Sequence, residues 1–389
     1  MSGMGGEGST LRILVVVEPG IDGVFRHVEG LIHHLLAEKQ EVHLAYSDRR
    51  GSAHLERLAA LVAARGGECL NLRVGNAPEP GDLSALARLW SFARRLRPDV
   101  VHGHSSKAGV LVRALPLLGI RARFFYSPHA YYGMAPRPGK AVHFYNAVER
   151  LFGRVGTTIN ISKDEAAFAA GTLRIARDDI HVIHNPVDTA VFRPPTPEER
   201  RERRAALGFP EGAVVLGALG RLSFQKDPQT LYLAAAPVLH ARKELLLFHC
   251  GQGELDEELR LLSRELGIGD RIVRKAYFDE PAGFYQALDG FVLTSRYEAG
   301  WPIVVLEAQA TDLPLIVSDA PGTSDIGAAG LSHCWTAPAG QAESFTAALE
   351  SWLADRPAGR PSNHRSTAIE RFSPPIAYGA VLDAYRQAE

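Results

Sequence analysis

Continuous apolar runs alternate with amphipathic stretches of helical spacing, and this pattern constrains the fold of the chain more than any other feature. LRILVVV is apolar throughout, as a strand is when both faces of its sheet are covered. FRHVEGLIHHLLAE then places Val28, Leu31, Ile32 and Leu35 on one side of a helix. EVHLAYS, PDVVHGH, ARFFYSPHA and GTTINIS read as further strands, with SALARLWSFARRLR helical between two of them. The pattern predicts an α/β fold built on a parallel, doubly wound sheet. HNPVDTAVFRPPTPEERRERRAALGFPEG interrupts it, and Pro194, Pro195, Pro197 and the charge run mark a domain boundary. The alternation then restarts. AVVLGALG, ELLLFHCG, RIVRKAY, DGFVLTS and LPLIVSD read as strands, and DPQTLYLAAAPVLHA, ELDEELRLLSRELG and PIVVLEAQA as helices. Terminal helices broken at Pro374 and Pro375 follow. A length of 389 residues suits two such halves. The expected domains are 1–187 and 188–371, with 372–389 as a C-terminal helical segment.

Composition excludes several classes. Lys+Arg number 43 and Asp+Glu 44, so a net charge of −1 gives no global reason to bind nucleic acid. Cys69, Cys250 and Cys334 are far apart with no CxxC, which suits free thiols acting as buried filler in a reducing compartment. MSGMGGEGST lacks the pattern of a signal peptide, and no apolar run is long enough to span a bilayer. A cytoplasmic location is expected.

Ligands of doubly wound folds sit beyond the C-terminal ends of the strands, so the loops there hold the candidate residues. In SRYEAGWPIVVLEAQA, Pro302 starts a helix whose Ile303 and Val304 amides lack intrahelical partners and form an anion site. Glu307 is the one acid of that nearly all-apolar helix. It suits a sugar diol, or else a structural ion pair or a rim position. GALGRLSFQKDP carries Arg221 and Lys226, which suit a diphosphate or else a solvated basic loop. CGQGELDEEL offers Gly251 and Gly253, a weak signal and not a dinucleotide fingerprint. In EPGIDGVFRHVEG, Gly20 and Gly23 let a substrate approach the backbone. HGHSSKAG places His102, His104, Ser105, Ser106 and Lys107 at a strand end. His-x-His hints at a metal, but without a third ligand a polar lining is the better reading. His129 in SPHAYYGM, with Tyr131 and Tyr132 behind it, suits a substrate hydroxyl or else a packed structural histidine. No P-loop, HExxH, Gly-x-Ser-x-Gly elbow or Asp-x-Asp metal motif is placed at a strand end.

Taken in order, GIDGVFRHV, HGHSSKAG, SPHA, HNPVD, GRLSFQKDP, GQGELDEEL and SRYEAGWPIVVLEA resemble the retaining glycosyltransferases of family 4, in bacterial form. The resemblance covers nearly the whole chain. It implies the GT-B fold, two facing Rossmann-like domains with a C-terminal helix crossing back to the first. It also implies transfer from a nucleotide-sugar, foremost a UDP-sugar, to an acceptor hydroxyl without a cofactor or metal. Arg221 and Lys226 would hold the donor diphosphate together with the Ile303 and Val304 amides. Glu307 would take the ribose. Glu298 and the loop Gly300, Trp301 and Pro302 would face the donor sugar, and Gly251 would lie in the donor site. His129 would hydrogen-bond the donor sugar from the first domain. Gly23 and Val24 would lie near donor phosphates or acceptor. His104, Ser105, Lys107 and Tyr131 would meet the acceptor, and Asn185 and Pro186 would form a hinge.

One departure from the family stands in the loop. Ala299 through Leu306 separate the two glutamates, one residue more than the family's usual spacing, while Pro302 to Glu307 keeps it. Glu307 is therefore the firmer assignment, and Glu298 depends on how the loop bulges. A nucleotide-sugar 2-epimerase and a non-catalytic nucleotide-sugar binder use the same fold and stay as alternatives. The acceptor is a sugar, a lipid-linked sugar or a small metabolite. SALARLWSFARRLR could rest on the inner face of the membrane, but one packed and one solvated face is the better reading of it.

Overall fold

A computed structural model describes residues 9–18, 22–49, 52–75, 77–135, 139–278, 280–356 and 362–388. Two compact units emerge, Met1–Ile183 with Ala377–Glu389, and His184–Ile376.

The first unit holds strands β1 (Arg12–Val17), β2 (Glu41–Tyr46), β3 (Cys69–Asn71), β4 (Val100–His104), β5 (Arg123–Ser127), β6 (Thr157–Asn160) and β7 (Ile180–Val182). Its helices are α1 (Asp22–Ala37), α2 (Ser52–Ala64), α3 (Gly81–Leu96), α4 (Ser106–Ala114), α5 (Lys140–Phe152) and α6 (Lys163–Gly171). The strands pair in the order β3-β2-β1-β4-β5-β6-β7, and each pairing is parallel. One apolar layer packs α1 and α2 on the sheet and the other packs α3 and α4, which is why β1 is apolar on both sides.

The second unit holds α7 (Pro197–Ala206), β8 (Val214–Leu219), α8 (Pro228–Ala241), β9 (Leu245–Cys250), α9 (Asp256–Glu265), β10 (Ile272–Lys275), α10 (Pro281–Gln286), β11 (Gly290–Leu293) and α11 (Ile303–Ala310). It continues with β12 (Leu315–Asp319), α12 (Ser324–Gly327), β13 (Cys334–Pro338), α13 (Ala342–Asp355), α14 (His364–Phe372) and the start of α15 (Pro374–Gln387). Its parallel sheet runs β10-β9-β8-β11-β12-β13. These are the two Rossmann-like halves of a GT-B fold.

Three strands escape the apolar pattern of the sequence, and all are sheet edges: β3, β7 and β13. An edge strand is short and half covered, so its sequence need not be apolar. The proline-rich stretch is no loose linker either. Thr196 and Glu199 form a capping box at the start of α7, and Arg204 of that helix reaches Asp289 at 2.5 Å. The compact units accordingly divide at 183/184, ahead of this stretch. After the break at Pro374, the later turns of α15 lie in the first unit. Ala377, Tyr378, Val381, Leu382 and Tyr385 join the core built on β1 and α1. Tyr378 donates to His27 O at 3.0 Å, and Arg123 Nη1 donates to Tyr385 O at 2.7 Å.

Candidate active site

Each sheet has one place where successive strands depart in opposite directions, between β1 and β4 in the first unit and between β8 and β11 in the second. Loops diverge there and leave a crevice. The candidate residues collect at these two points.

In the second unit the loop after β8 carries Arg221 and Lys226. Gly251 holds its base, since a Cβ there would stand 1.9 Å from Gly220 O. Leu222 N also donates to Gln252 O at 3.1 Å. Asp227 closes the loop in the left-handed region, with Pro228 starting α8. Its buried carboxylate accepts from Thr230 Oγ1 at 2.7 Å and pairs with Arg296 at 2.9 Å. Arg296 belongs to the loop after β11, and its amide donates to Gln225 O at 2.8 Å. The two loops are thus stitched into one platform. Asp227, Gln225, Ser295 and Arg296 are structural members that sequence reading passed over. The only hint was the Asp-Pro that opens a helix.

On that platform Lys226 Nζ meets Glu298 Oε1 at 2.5 Å. Ser295 Oγ donates to the same oxygen at 2.6 Å. The extra loop residue does not throw Glu298 outward. Its amide donates to Pro321 O at 2.8 Å, and Gly322 leaves no room for a Cβ beside Glu298 O. Arg221 is exposed and makes no side-chain hydrogen bond or ion pair among the described residues. Pro302 is the residue before the helix rather than its first. Val305 and Leu306 amides return to Pro302 O, which leaves the part-exposed Ile303 and Val304 at the open end. Trp301, expected to face the donor sugar, is turned inward. It is buried against Phe372 with ring centroids 4.8 Å apart, beside the buried Gly300 and Pro302. Glu307 is fully buried, and its Oε2 accepts from Tyr285 Oη at 2.7 Å.

In the first unit a cavity of about 470 Å³ opens where β1 and β4 diverge. Val24 of α1, Ser105, Lys107, His129 and Tyr132 line it, together with Glu18 and Phe144, which sequence reading left aside. Gly23 is exposed at the start of α1, and Gly20 lies outside the described residues. Lys107 Nζ is held by Asp82 Oδ2 at 2.5 Å and Ala77 O at 2.7 Å. Tyr131 was expected to meet the acceptor. It is instead buried in a small core with Tyr126, Ala169, Leu173 and Ile175, and exposed Tyr132 takes its place on the wall. His104 is also fully buried, behind His129, with Nδ1 3.1 Å from His129 Nε2.

His129 and Ala130 both have positive φ, 54° and 96°, a costly conformation for residues with a Cβ. Glu165 holds it. Its two oxygens accept from Ala130 N and Ile161 N, each at 2.7 Å. Burial raises this carboxyl to about 7 against the pull of those two amides. Beside it, burial and the neighbouring imidazoles push His102, His104 and His129 well below the usual range, so all three are neutral at pH 7.

Residues 21–191 match the family model Glycosyltransferase Family 4, and residues 199–371 match Glycosyl transferases group 1. The first matched segment lies in the first unit and the second in the second unit. A relative in Escherichia coli, UDP-Gal:alpha-D-GlcNAc-diphosphoundecaprenol alpha-1,3-galactosyltransferase, is 28% identical over 62% of this chain and 63% of its own length. D-inositol 3-phosphate glycosyltransferase 1 of Catenulispora acidiphila is 35% identical over 40% of this chain and 39% of its own. These matches span less than two thirds of either relative. Among solved structures, HepE of Anabaena in complex with UDP superposes with a TM-score of 0.79 at 17% identity, covering 96% of this chain and 99% of that one. Sucrose-phosphate synthase of Thermosynechococcus elongatus superposes with a TM-score of 0.78 at 17% identity, covering 97% and 98%. At that identity they share the fold. The cavity with His129 lies within the segment that matches the family 4 model, and the Lys226–Glu298 platform within the segment that matches the group 1 model.

Proposed function

We propose that the chain is a retaining glycosyltransferase that moves a sugar from a nucleotide diphosphate sugar, foremost a UDP-sugar, to an acceptor hydroxyl with no metal required. The observation that carries this reading is the cationic platform of the group 1 domain. Arg221 projects from the same loop that holds Lys226 against Glu298, at the switch point of the sheet. Two cations on one glycine-anchored loop suit a diphosphate. HepE bound to UDP and to UDP-glucose supports a UDP-sugar donor, as does the relative named for UDP-Gal.

In this reading Lys226 and Arg221 stabilise the charge that develops on the leaving diphosphate, as pre-oriented groups do in a water-poor site. Glu298 fixes the Lys226 ammonium before donor arrives. The Ile303 and Val304 amides add helix-terminal donors, and Glu307 takes the ribose while it still accepts from Tyr285. His129 donates to the donor sugar from its fixed turn. The bond from the anomeric carbon to phosphate oxygen breaks, and the acceptor oxygen bonds to that carbon on the same face. The acceptor proton passes to the departing phosphate. The rate gain is positioning and charge stabilisation.

The acceptor sits in the family 4 cavity. The two relatives named above are named for unlike acceptors, a lipid diphosphate sugar and an inositol phosphate. Cell-surface polysaccharide or glycosylated-metabolite synthesis is the setting this suggests. No helix is long and apolar enough to cross a membrane among the described residues. α3 buries Ala85, Leu89, Phe92, Ala93 and Leu96, and Arg95 pairs with Glu68, so its two faces are packed and solvated.

The test is nucleotide release from a panel of nucleotide-sugars with and without acceptors, with the product anomer read by NMR. A donor isomerised without acceptor would mean an epimerase. Tight binding with no turnover on a wide acceptor panel would mean a sensor. Activity abolished by EDTA and restored by Mg²⁺ would refute the metal-free scheme.

A further inference from the structure

Behind the family 4 cavity four imidazoles pack together, and sequence reading saw only the His-x-His pair and His129. The fourth, His27, comes from the second turn of α1. His102 and His104 share one face of β4, with ring centroids 3.9 Å apart. His27 lies 4.8 Å from His129 and 5.6 Å from His104 by ring centroid.

His102 is committed elsewhere. Its Nδ1 meets Tyr385 Oη at 2.5 Å and its Nε2 meets Ser127 Oγ at 3.0 Å. The other three rings are arranged differently. Each offers one nitrogen, and the three nitrogens lie within 4.8 Å of one another. Around a tetrahedral Zn²⁺, with Zn–N near 2.0–2.1 Å, ligand nitrogens stand about 3.4 Å apart. The 3.1 Å between His104 Nδ1 and His129 Nε2 is already close to that edge. Among the described residues the buried Nε2 of His104 has no hydrogen-bond partner, so only the Nδ1 edge of this ring is engaged, against His129.

We propose that His27, His104 and His129 form a three-imidazole site for a borderline transition-metal ion of the Zn²⁺ or Co²⁺ class, and that its occupancy inhibits the enzyme by taking His129 from the donor sugar.

Two further features support it. The nitrogen donor set suits zinc and cobalt rather than Mg²⁺ or Ca²⁺, which take oxygen ligands. His129 lines the cavity, which supplies a route from solvent and an open fourth position for water. The ion is not required for glycosyl transfer in this scheme. It is a brake on it, and the inhibitory half rests on the reading of His129 as a donor-sugar ligand.

The experiment uses the full chain, stripped with chelator and titrated with Zn²⁺ by calorimetry, and in parallel with Co²⁺ by visible absorption. One equivalent of Zn²⁺ should bind at micromolar or lower Kd. Co²⁺ should give the d–d bands of a four-coordinate site. X-ray absorption of the Zn²⁺ form should show nitrogen ligands at about 2.0 Å. His27→Gln and His104→Gln should each weaken Zn²⁺ binding at least ~10-fold, a loss of the size that removing a single ligand-shell contact produces. Should either variant fail to fold by circular dichroism, the absorption spectrum of wild type decides. No stoichiometric binding, a sulfur shell, or unchanged affinity in both folded variants would overturn the site. Nucleotide release should fall as the site fills and recover with EDTA. Tight binding with undiminished turnover would overturn the inhibitory role and the assignment of His129 together. These binding measurements do not depend on turnover, so the site is decided even if no donor is used.

Discussion

Lys226 and Glu298 act as a unit, and their substitutions should read that way. In the proposed mechanism Lys226 is one of the stabilisers of the leaving diphosphate, so Lys226→Ala should lower kcat/KM by ~100-fold or more. A near-wild-type rate would remove the cationic loop from the mechanism. The same change leaves a nearly buried Glu298 carboxylate without its cation. The single variant should therefore melt lower in urea than the double variant that also carries Glu298→Ala. Tyr131 and Tyr132 make a second contrast. Tyr131→Ala empties a core position and should cost about 3–5 kcal/mol, whereas Tyr132→Ala should raise the acceptor KM with little change in melting. A large acceptor effect from Tyr131→Phe would contradict its placement in the core. Two adjacent tyrosines look equivalent in a string, and only the course of the backbone assigns one to the core and one to the cavity.

At the scale of elements, glycines decide how close the site loops can come. A Cβ at Gly251 would meet backbone, the carbonyl of Gly220, so Gly251→Ala must push the Arg221–Lys226 loop away. A Cβ at Gly322 would meet the carbonyl of Glu298, and its φ is 88°. Each substitution should destabilise by about 1–3 kcal/mol from overpacking alone and lower donor turnover. Gly171, at the end of α6, has open space around it. There Gly171→Ala should be neutral or stabilising by up to ~1 kcal/mol. Equal effects at all three, measured by urea unfolding, would show that the close approaches are not what the loops need. The strand-end position of Gly251 was legible in the sequence. What it touches was not, because the partner, Gly220, lies on a different loop.

The whole molecule carries several buried histidines, and they set its pH response. Burial lowers His249 to about 4, and also lowers His43 and His364. Between that value and the ordinary 6.5, the unfolded chain binds a proton that the folded chain refuses. Stability is full above that window and falls as pH falls through it, by up to ~3 kcal/mol for His249 alone at about 1.4 kcal/mol per pKa unit. Glu165 works with the opposite sign. Its carboxyl is raised from 4.5 to about 7, so its share is full at acid pH and is lost as pH rises through that interval. With several histidines against one such acid, urea midpoints should fall from pH 6.5 toward pH 4, and His249→Asn should flatten that fall. A midpoint independent of pH would contradict the burial of these rings.

The class of the fold is written in local patterns of the sequence. Apolar runs of strand length and helical stripes are local patterns, and a parallel sheet covered on both faces follows from them. The sequence also determined which strand-end loops carry the cations, the glycines and the extra residue before Pro302. The resemblance to family 4 followed from the same loops. Which side chains of those loops turn inward and which line the crevices follows from tertiary packing alone. Trp301 turned to Phe372, Glu307 to Tyr285, and His27 to His104 and His129. Each of these contacts joins residues distant in the chain, across elements whose mutual placement depends on packing the whole core, and no local pattern encodes that.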